Sequence, residues 1–300
     1  MPSASATKAS DKQQACRKLT SLLQKDYGRS VPKLDLPVLE TMLFATCLED
    51  NGWEQARAGY DKLLRSFFDL NEIRVSSVAE IEAALSELNR ADWKGLRIRA
   101  LLRFVFEANY SFEYEKLRRL TLDSAQKRLK KIDALSPFIR NFTLQQVLGC
   151  HLVCLDDVSL RAAICLGIVP VGSDEESGGE FLKAGIKKSD APGFAYLLRC
   201  LATDPKYAGR FAEPPQEEFD VSSVESRLKE LKNPPRKKAA AKSEAKPKKK
   251  TTTTRKKPPA SAAASKSAAR KSAKTSSAPR KKTARKPTPG TKKKSPARKK

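Results

Sequence analysis

Leu231 is the last large apolar residue of the chain: the 68 residues from Asn233 to Lys300 contain no Leu, Ile, Val, Met, Phe, Tyr, Trp or Cys. With nothing to bury against the entropy of ordering a chain, that segment is excluded from any core. It holds 26 of the 60 Lys and Arg residues and one acid, Glu244, and so carries +25 of the formal +26. Residues 1–232 are close to neutral, with 34 basic and 33 acidic side chains, and hold every aromatic and branched aliphatic residue. The chain therefore divides into one domain of ordinary size and a basic tail.

Several classes fall away on the same grounds. No run of about 18 apolar residues is present, which excludes a spanning helix. The start, MPSASATKASDKQQ, is polar and lacks the apolar stretch of a secretory signal, so an intracellular setting is expected. The six cysteines (Cys16, Cys47, Cys150, Cys154, Cys165, Cys200) sit in apolar surroundings without disulfide-framework spacing and read as reduced core residues. Cys150, Cys154 and the single histidine, His151, lack the spacing of a zinc knuckle, and no metal is expected.

Helical periodicity runs through the domain. It marks residues 9–27 behind Ser10, an all-round apolar segment opening at Pro37, and amphipathic stretches over 53–68, 77–88, 93–110 and 122–132. After a break at Leu135-Ser136-Pro137 come FTLQQVLGCHLVCL and SLRAAICLGIV, closed by Pro170. A Gly- and acid-rich loop, GSDEESGGE, leads to APGFAYLLRCLA, and a last helix spans about Ser222 to Lys232. No period-two stretch is evident, so the expected fold class is all-α, with about eight to ten short helices.

The order of these segments resembles the endonuclease III family of DNA glycosylases, of the helix-hairpin-helix superfamily involved in base-excision repair. LETMLFATCLEDNGWEQARAGYDKLL is similar to the family's opening helix pair, WKGLRIRALLRFVFEA to its next long helix, LKKIDALSPFIRNFTLQQVLGC to the hairpin and its second helix, CLDDVSLRAAICLGIV to the segment with the catalytic aspartate, and GEFLKAGIKKSDAPGFAYLLRCLA to the returning helices. The resemblance covers roughly residues 30–212. It implies a glycosylase-like domain there, preceded by an N-terminal helix (1–29) and followed by a linker with a short helix (213–232) and the tail (233–300).

The departures bear on function. The family's hairpin reads Leu-Pro-Gly-hydrophobic-Gly-Arg-Lys-Thr-Ala, its glycines letting backbone N–H groups approach a DNA phosphate. Here Leu135-Ser136-Pro137-Phe138-Ile139-Arg140-Asn141-Phe142 replaces both, leaving Arg140 to reach a phosphate electrostatically and Asn141 where bifunctional members carry the lysine amine that forms a Schiff base. Lyase chemistry is not expected. Matching Arg161 to the family's arginine puts Asp156 on the catalytic position, with Asp157 beside it as the weaker candidate. Such a carboxylate stabilises the cationic sugar and orients water in monofunctional members; helix capping by an Asp-Asp-x-Ser sequence is the competing role. Only Cys200 lies near the family's iron–sulfur site, so no cluster and no cofactor are expected. Trp53 and Trp93 read as packing or as base-stacking platforms. Lys116, Arg118, Arg119, Lys127, Arg128, Lys130 and Lys131, shortly before the hairpin, read as a solvated face or as phosphate contacts.

The tail resembles those of linker histones. Prolines at nine positions from 234 to 296 block long helices, and its cations, with Lys237, Lys238, Lys248, Lys249, Lys250, Arg280, Lys281, Lys282 and Arg298 as the candidates, match a line of phosphates without reading sequence. The expected partner is DNA, in a nucleoid or nucleus, with RNA as a further polyanion and no membrane. The expected function is a DNA-binding, glycosylase-like protein with lost or reduced activity. The alternatives are an active monofunctional glycosylase using Asp156, and an RNA- or polyphosphate-binding basic protein.

Overall fold

The all-round apolar segment after Pro37 becomes helix α2 (Val38–Leu48), and every residue in it except Glu40 is buried. A helix apolar on all faces has to be central. The computed structural model describes residues 9–212 and 221–233, and around α2 it places α3 (Trp53–Ser66), α6 (Ala91–Asn109) and α8 (Pro137–Leu148). Short helices α4 (Leu70–Val75) and α5 (Val78–Ala84) pack on α6, and α7 (Leu122–Leu129) packs on α8. Their buried side chains, from Val38 to Cys154, make one core.

A second core gathers α1 (Ala9–Tyr27), α9 (Asp157–Cys165), α10 (Glu175–Lys183), α11 (Ala191–Thr203) and α12 (Val224–Lys232). The N-terminal helix belongs to it through Ala15, Cys16, Leu19 and Leu23, and the Tyr27 hydroxyl donates to Asp204 at 2.9 Å. All described residues fall within one compact unit, Met1–Ala239. Among them there are twelve α-helices and no strand, so the fold is all-α. The linker residues 213–220 and the tail cations from Lys237 to Arg298 lie outside the described residues.

Local chemistry sets the helix ends. Ser77 and Glu80 form a capping box on α5, and Thr121 caps α7. Pro37 offers no side-chain cap to α2, and the Glu115 carboxylate accepts from Val38 N at 2.6 Å instead. An acceptor at that end satisfies an orphan amide and favours the positive end of the helix dipole.

Three segments differ from the sequence expectation. GSDEESGGE is not a loop: Asp174 and Ser177 form a capping box and α10 follows. Its two glycines lower helix propensity, but they permit close packing. A Cβ on Gly179 would stand 2.6 Å from the Val153 carbonyl, and one on Gly178 2.9 Å from Leu160. The helix expected to continue to Leu155 stops at Gly149, in the left-handed conformation at φ 60°. Residues 151–156 are non-helical, and within them Leu152 and Cys154 enter the first core while Val153 and Leu155 enter the second. That alternation is the period of extended chain, hidden in the sequence because both faces are apolar. The third difference is α4, which the periodicity missed although Asp69 caps it by accepting from Glu72 N at 2.7 Å.

Gly179→Ala tests the α10 contact. Alanine would gain about 1 kcal/mol in helix propensity, whereas forcing a methyl against backbone costs about 1–3 kcal/mol. Urea denaturation should therefore show net destabilisation, with Gly209→Ala, which meets nothing within 4 Å, close to neutral.

Candidate functional site

The site is organised by the end of α2. Its last carbonyls have no partner within the helix and point into the protein, where each must be satisfied. Lys94, 2% exposed, donates through Nζ to Thr46 O at 2.9 Å and Glu49 O at 2.6 Å. Asn51 donates to Cys47 O at 3.1 Å, and Arg199 donates to Leu48 O at 2.8 Å and Asn51 O at 3.1 Å. Two buried cations at a helix C-terminus also meet the negative end of the dipole.

Asp156 completes this arrangement. It caps α9 by accepting from Ser159 N through Oδ1 at 3.1 Å, and its Oδ2 accepts from Asp50 N at 2.7 Å and Arg199 Nη1 at 2.6 Å. Its exposure is 0% and that of Arg199 is 4%. Burial alone would raise its pKa, but the Arg199 guanidinium and the N–H groups of Ser159 and Asp50 outweigh it and hold the carboxyl below its usual range. Asp156 is thus an ionised, enclosed carboxylate whose two oxygens are both engaged. The capping role weighed from Asp-Asp-x-Ser is present in the structure. Arg199 escaped the sequence reading, although a single cation inside APGFAYLLRCLA is the signal for a buried pair.

Asp157, one residue on, points to solvent and pairs with Arg161 at 2.8 Å. Around the two aspartates lies a set of acids that sequence spacing did not bring together. Asp50, itself left-handed at φ 60°, is pushed up to about 6 by burial and by the Asp156 and Glu49 charges, with Lys94 pulling the other way. Glu175 is pushed up to about 7 by burial and by Glu49, Asp156, Asp50 and Asp157. Glu49 itself pairs with Arg97 at 2.7 Å.

The turn between α7 and α8 is held by internal contacts. The Ser136 hydroxyl accepts from Ile139 N at 3.2 Å, and Phe138 and Ile139 are buried. Arg140 donates to Leu135 O at 2.9 Å and to Glu176 at 3.2 Å. Asn141 lies beside Arg140 in a cavity of about 170 Å³ that Glu176 and Glu180 also line, and Asp156 is not part of that lining. Lys130 and Arg140 balance the two carboxylates in that lining.

The remaining candidates find ordinary partners. Trp53 packs against Phe44 and Tyr196, and Trp93 lies between Arg90 and Arg97, whose guanidinium is 3.3 Å from its ring centre. His151 is off any helix and its Nε2 is 2.8 Å from Ile186 O. The six cysteines are free and dispersed, and among the described residues no group of three or more His, Cys, Asp or Glu side chains is placed to hold a metal ion. Among the described residues no helix is long and apolar enough to cross a membrane.

Comparison with solved structures gives the fold. A non-covalent endonuclease III–DNA complex is 13% identical, covers 72% of this chain and 98% of that one, and superposes with a TM-score of 0.51. A thermostable thymine-DNA glycosylase is 13% identical over 70% and 95% of the two chains, with a TM-score of 0.46. The Clostridium acetobutylicum 8-oxoguanine glycosylase/lyase in complex with DNA is 13% identical over 62% and 68%, at 0.47. No protein-family model matches the chain, and no curated protein matches it. The fold is similar to that of endonuclease III.

Two stability measurements probe the site. Asparagine is a good helix cap, so if capping were all that Asp156 does, Asp156→Asn would cost little. The substitution also leaves the Arg199 charge buried and unpaired, and breaking such a pair costs about 3–5 kcal/mol, the loss expected in urea denaturation. The second concerns pH. Glu175 and Asp50 have folded pKa values of about 7 and about 6, above their ordinary 4.5 and 3.8. Between those limits the folded state holds protons that the unfolded chain has released, so stability rises as pH falls through this window. Asp156, depressed, acts oppositely, its stabilisation being lost below its ordinary 3.8. Thermal melting should therefore peak near the lower end of the window, and Glu175→Gln should flatten the limb toward neutral pH.

Proposed function

We propose that this chain is a DNA-binding protein that keeps an endonuclease III-like fold without glycosylase or lyase chemistry, held on DNA mainly by its tail. The supporting observation is the state of Asp156. A carboxylate that stabilises the developing sugar cation has to face a flipped-out nucleotide, and this one is enclosed, with Arg199, Asp50 and Ser159 on its oxygens. Asn141 has no amine with which to attack the sugar, and Arg140 beside it is already engaged by Leu135 O and Glu176.

In this reading Lys237, Lys238, Lys248, Lys249, Lys250, Arg280, Lys281, Lys282 and Arg298 neutralise phosphates, and counterion release drives binding with little sequence preference. The protein then resides with DNA, in a nucleoid or a nucleus. Duplexes carrying single damaged or mismatched bases test the chemistry directly, and no base release is expected. Release of a base, leaving intact abasic sites that borohydride does not trap, would replace this reading with the active monofunctional one.

Binding has its own expected outcome. If about ten tail cations engage phosphates, the log–log salt slope for duplex DNA is about −9. Deleting 233–300 should leave only a shallow residual slope, and tighter binding of RNA than of DNA at matched salt would shift the partner to the other polyanion.

A further inference from the structure

Helix α7 has cavities on both sides, and they differ in charge. Gln126 and Lys130 face the hairpin cavity with its two carboxylates. On the other side Ser124, Lys127, Arg128 and Lys131, spaced at helical intervals, line a groove of about 510 Å³ whose lining contains no acid. Phe104, Ala108 and Leu120 supply its apolar surface. A second groove, of about 320 Å³, adjoins it through Ala108, Tyr114 and Arg128 and brings in Lys116 together with Glu113 and Glu115, so the basic surface is the first groove alone.

The cations here are available. From Glu113 to Ile132 there are seven Lys or Arg against three acids, Glu113, Glu115 and Asp123, and Glu115 is occupied by Val38 N and Arg118. Lys116, Arg119, Lys127, Lys130 and Lys131 make no ion pair with any described residue. Arg128 is held in place: its Nε donates to the Tyr114 hydroxyl at 3.3 Å and its guanidinium lies 5.2 Å from the ring centre. Its two terminal nitrogens have no partner among the described residues, which leaves the paired donors that match a phosphate.

We propose that this groove is a second nucleic-acid contact, on the folded domain, in which Lys127, Arg128 and Lys131 hold the phosphates of one strand while Phe104, Ala108 and Leu120 meet its sugars. The proposal rests on the DNA-binding reading above and places part of the contact on the side of α7 away from the hairpin. The tail of the same chain selects the occupant, because a phosphate polymer bound by any of its 26 cations is tethered to the domain and so kept at high local concentration.

Lysine acetylation of the full chain, with and without duplex DNA at low salt, tests the surface. Lys127 and Lys131 should be protected several-fold, with Lys62, paired to Glu87 on α3, unaffected. In the full chain, Lys127→Glu/Arg128→Gln/Lys131→Glu should make the salt slope shallower by about 0.9 for each phosphate no longer neutralised, roughly 2–3 in all. Should that variant not fold, Lys127→Gln/Lys131→Gln, at two exposed positions, should still reduce the slope by about 2. Wild-type binding with these lysines acetylated at the free rate, an unchanged slope, or equal protection by polyglutamate overturns the groove while the DNA-binding reading stands. Failure of the wild-type chain to bind nucleic acid at all overturns both.

Discussion

The buried pair of Asp156 and Arg199 is the interaction on which the rest of the molecule depends. A guanidinium enclosed by protein is tolerated only when its charge and its donors are all met. Here the partners come from three places at once: the carboxylate opening α9, the last carbonyl of α2, and the turn after it. Asp50 then returns a backbone N–H to the same carboxylate. The end of the first core's central helix is thereby tied to two helices of the second core. The extended segment before Asp156, sending alternate side chains into each core, fixes the separation at which the pair can form.

The same tie governs what chemistry the fold can offer. A carboxylate at the head of α9 can cap a helix, balance a buried cation or face a substrate, and its two oxygens limit how many of these it does together. In this chain they are used for the first two. Next to it, Glu49, Asp50 and Asp157 pair with Arg97, Arg90 and Arg161, and toward the hairpin Glu176 pairs with Arg140. Fold and function separate at the level of side chains, and a likeness in backbone does not carry the chemistry with it.

Much of this was legible in the residues. Helical periodicity located α1, α2, α3, α5, α6, α7, α9, α11 and α12, the loss of Gly, Gly and Lys from the hairpin was plain, and Asp-Asp-x-Ser announced the cap that Asp156 forms. Gly178 and Gly179 concealed α10 because they answer to packing against Val153 and Leu160 rather than to helix propensity. The segment Leu152–Leu155 concealed its extended form because both of its faces are buried. Arg199 and Lys94 were the harder misses, since a local pattern cannot say that a cation within an apolar helix will meet carbonyls about 45–150 residues away.

Net charge was the most misleading single quantity. The domain sums to almost nothing, with 34 basic and 33 acidic residues among 1–232, which reads as electrostatic indifference. The structure divides that sum across one helix: the cavity on one side of α7 balances Lys130 and Arg140 against Glu176 and Glu180, whereas the groove on the other side holds Lys127, Arg128 and Lys131 with no acid. Interactions between exposed charges fade beyond about 8–10 Å at moderate salt, so a polyanion responds to the face that it meets and not to the total. In the proposed reading, a tail that holds DNA irrespective of domain orientation leaves the domain free to present whichever face binds. A basic groove on α7 and a charge-balanced cavity at the hairpin are then compatible in a single chain, because affinity no longer depends on the cleft that the fold would otherwise use.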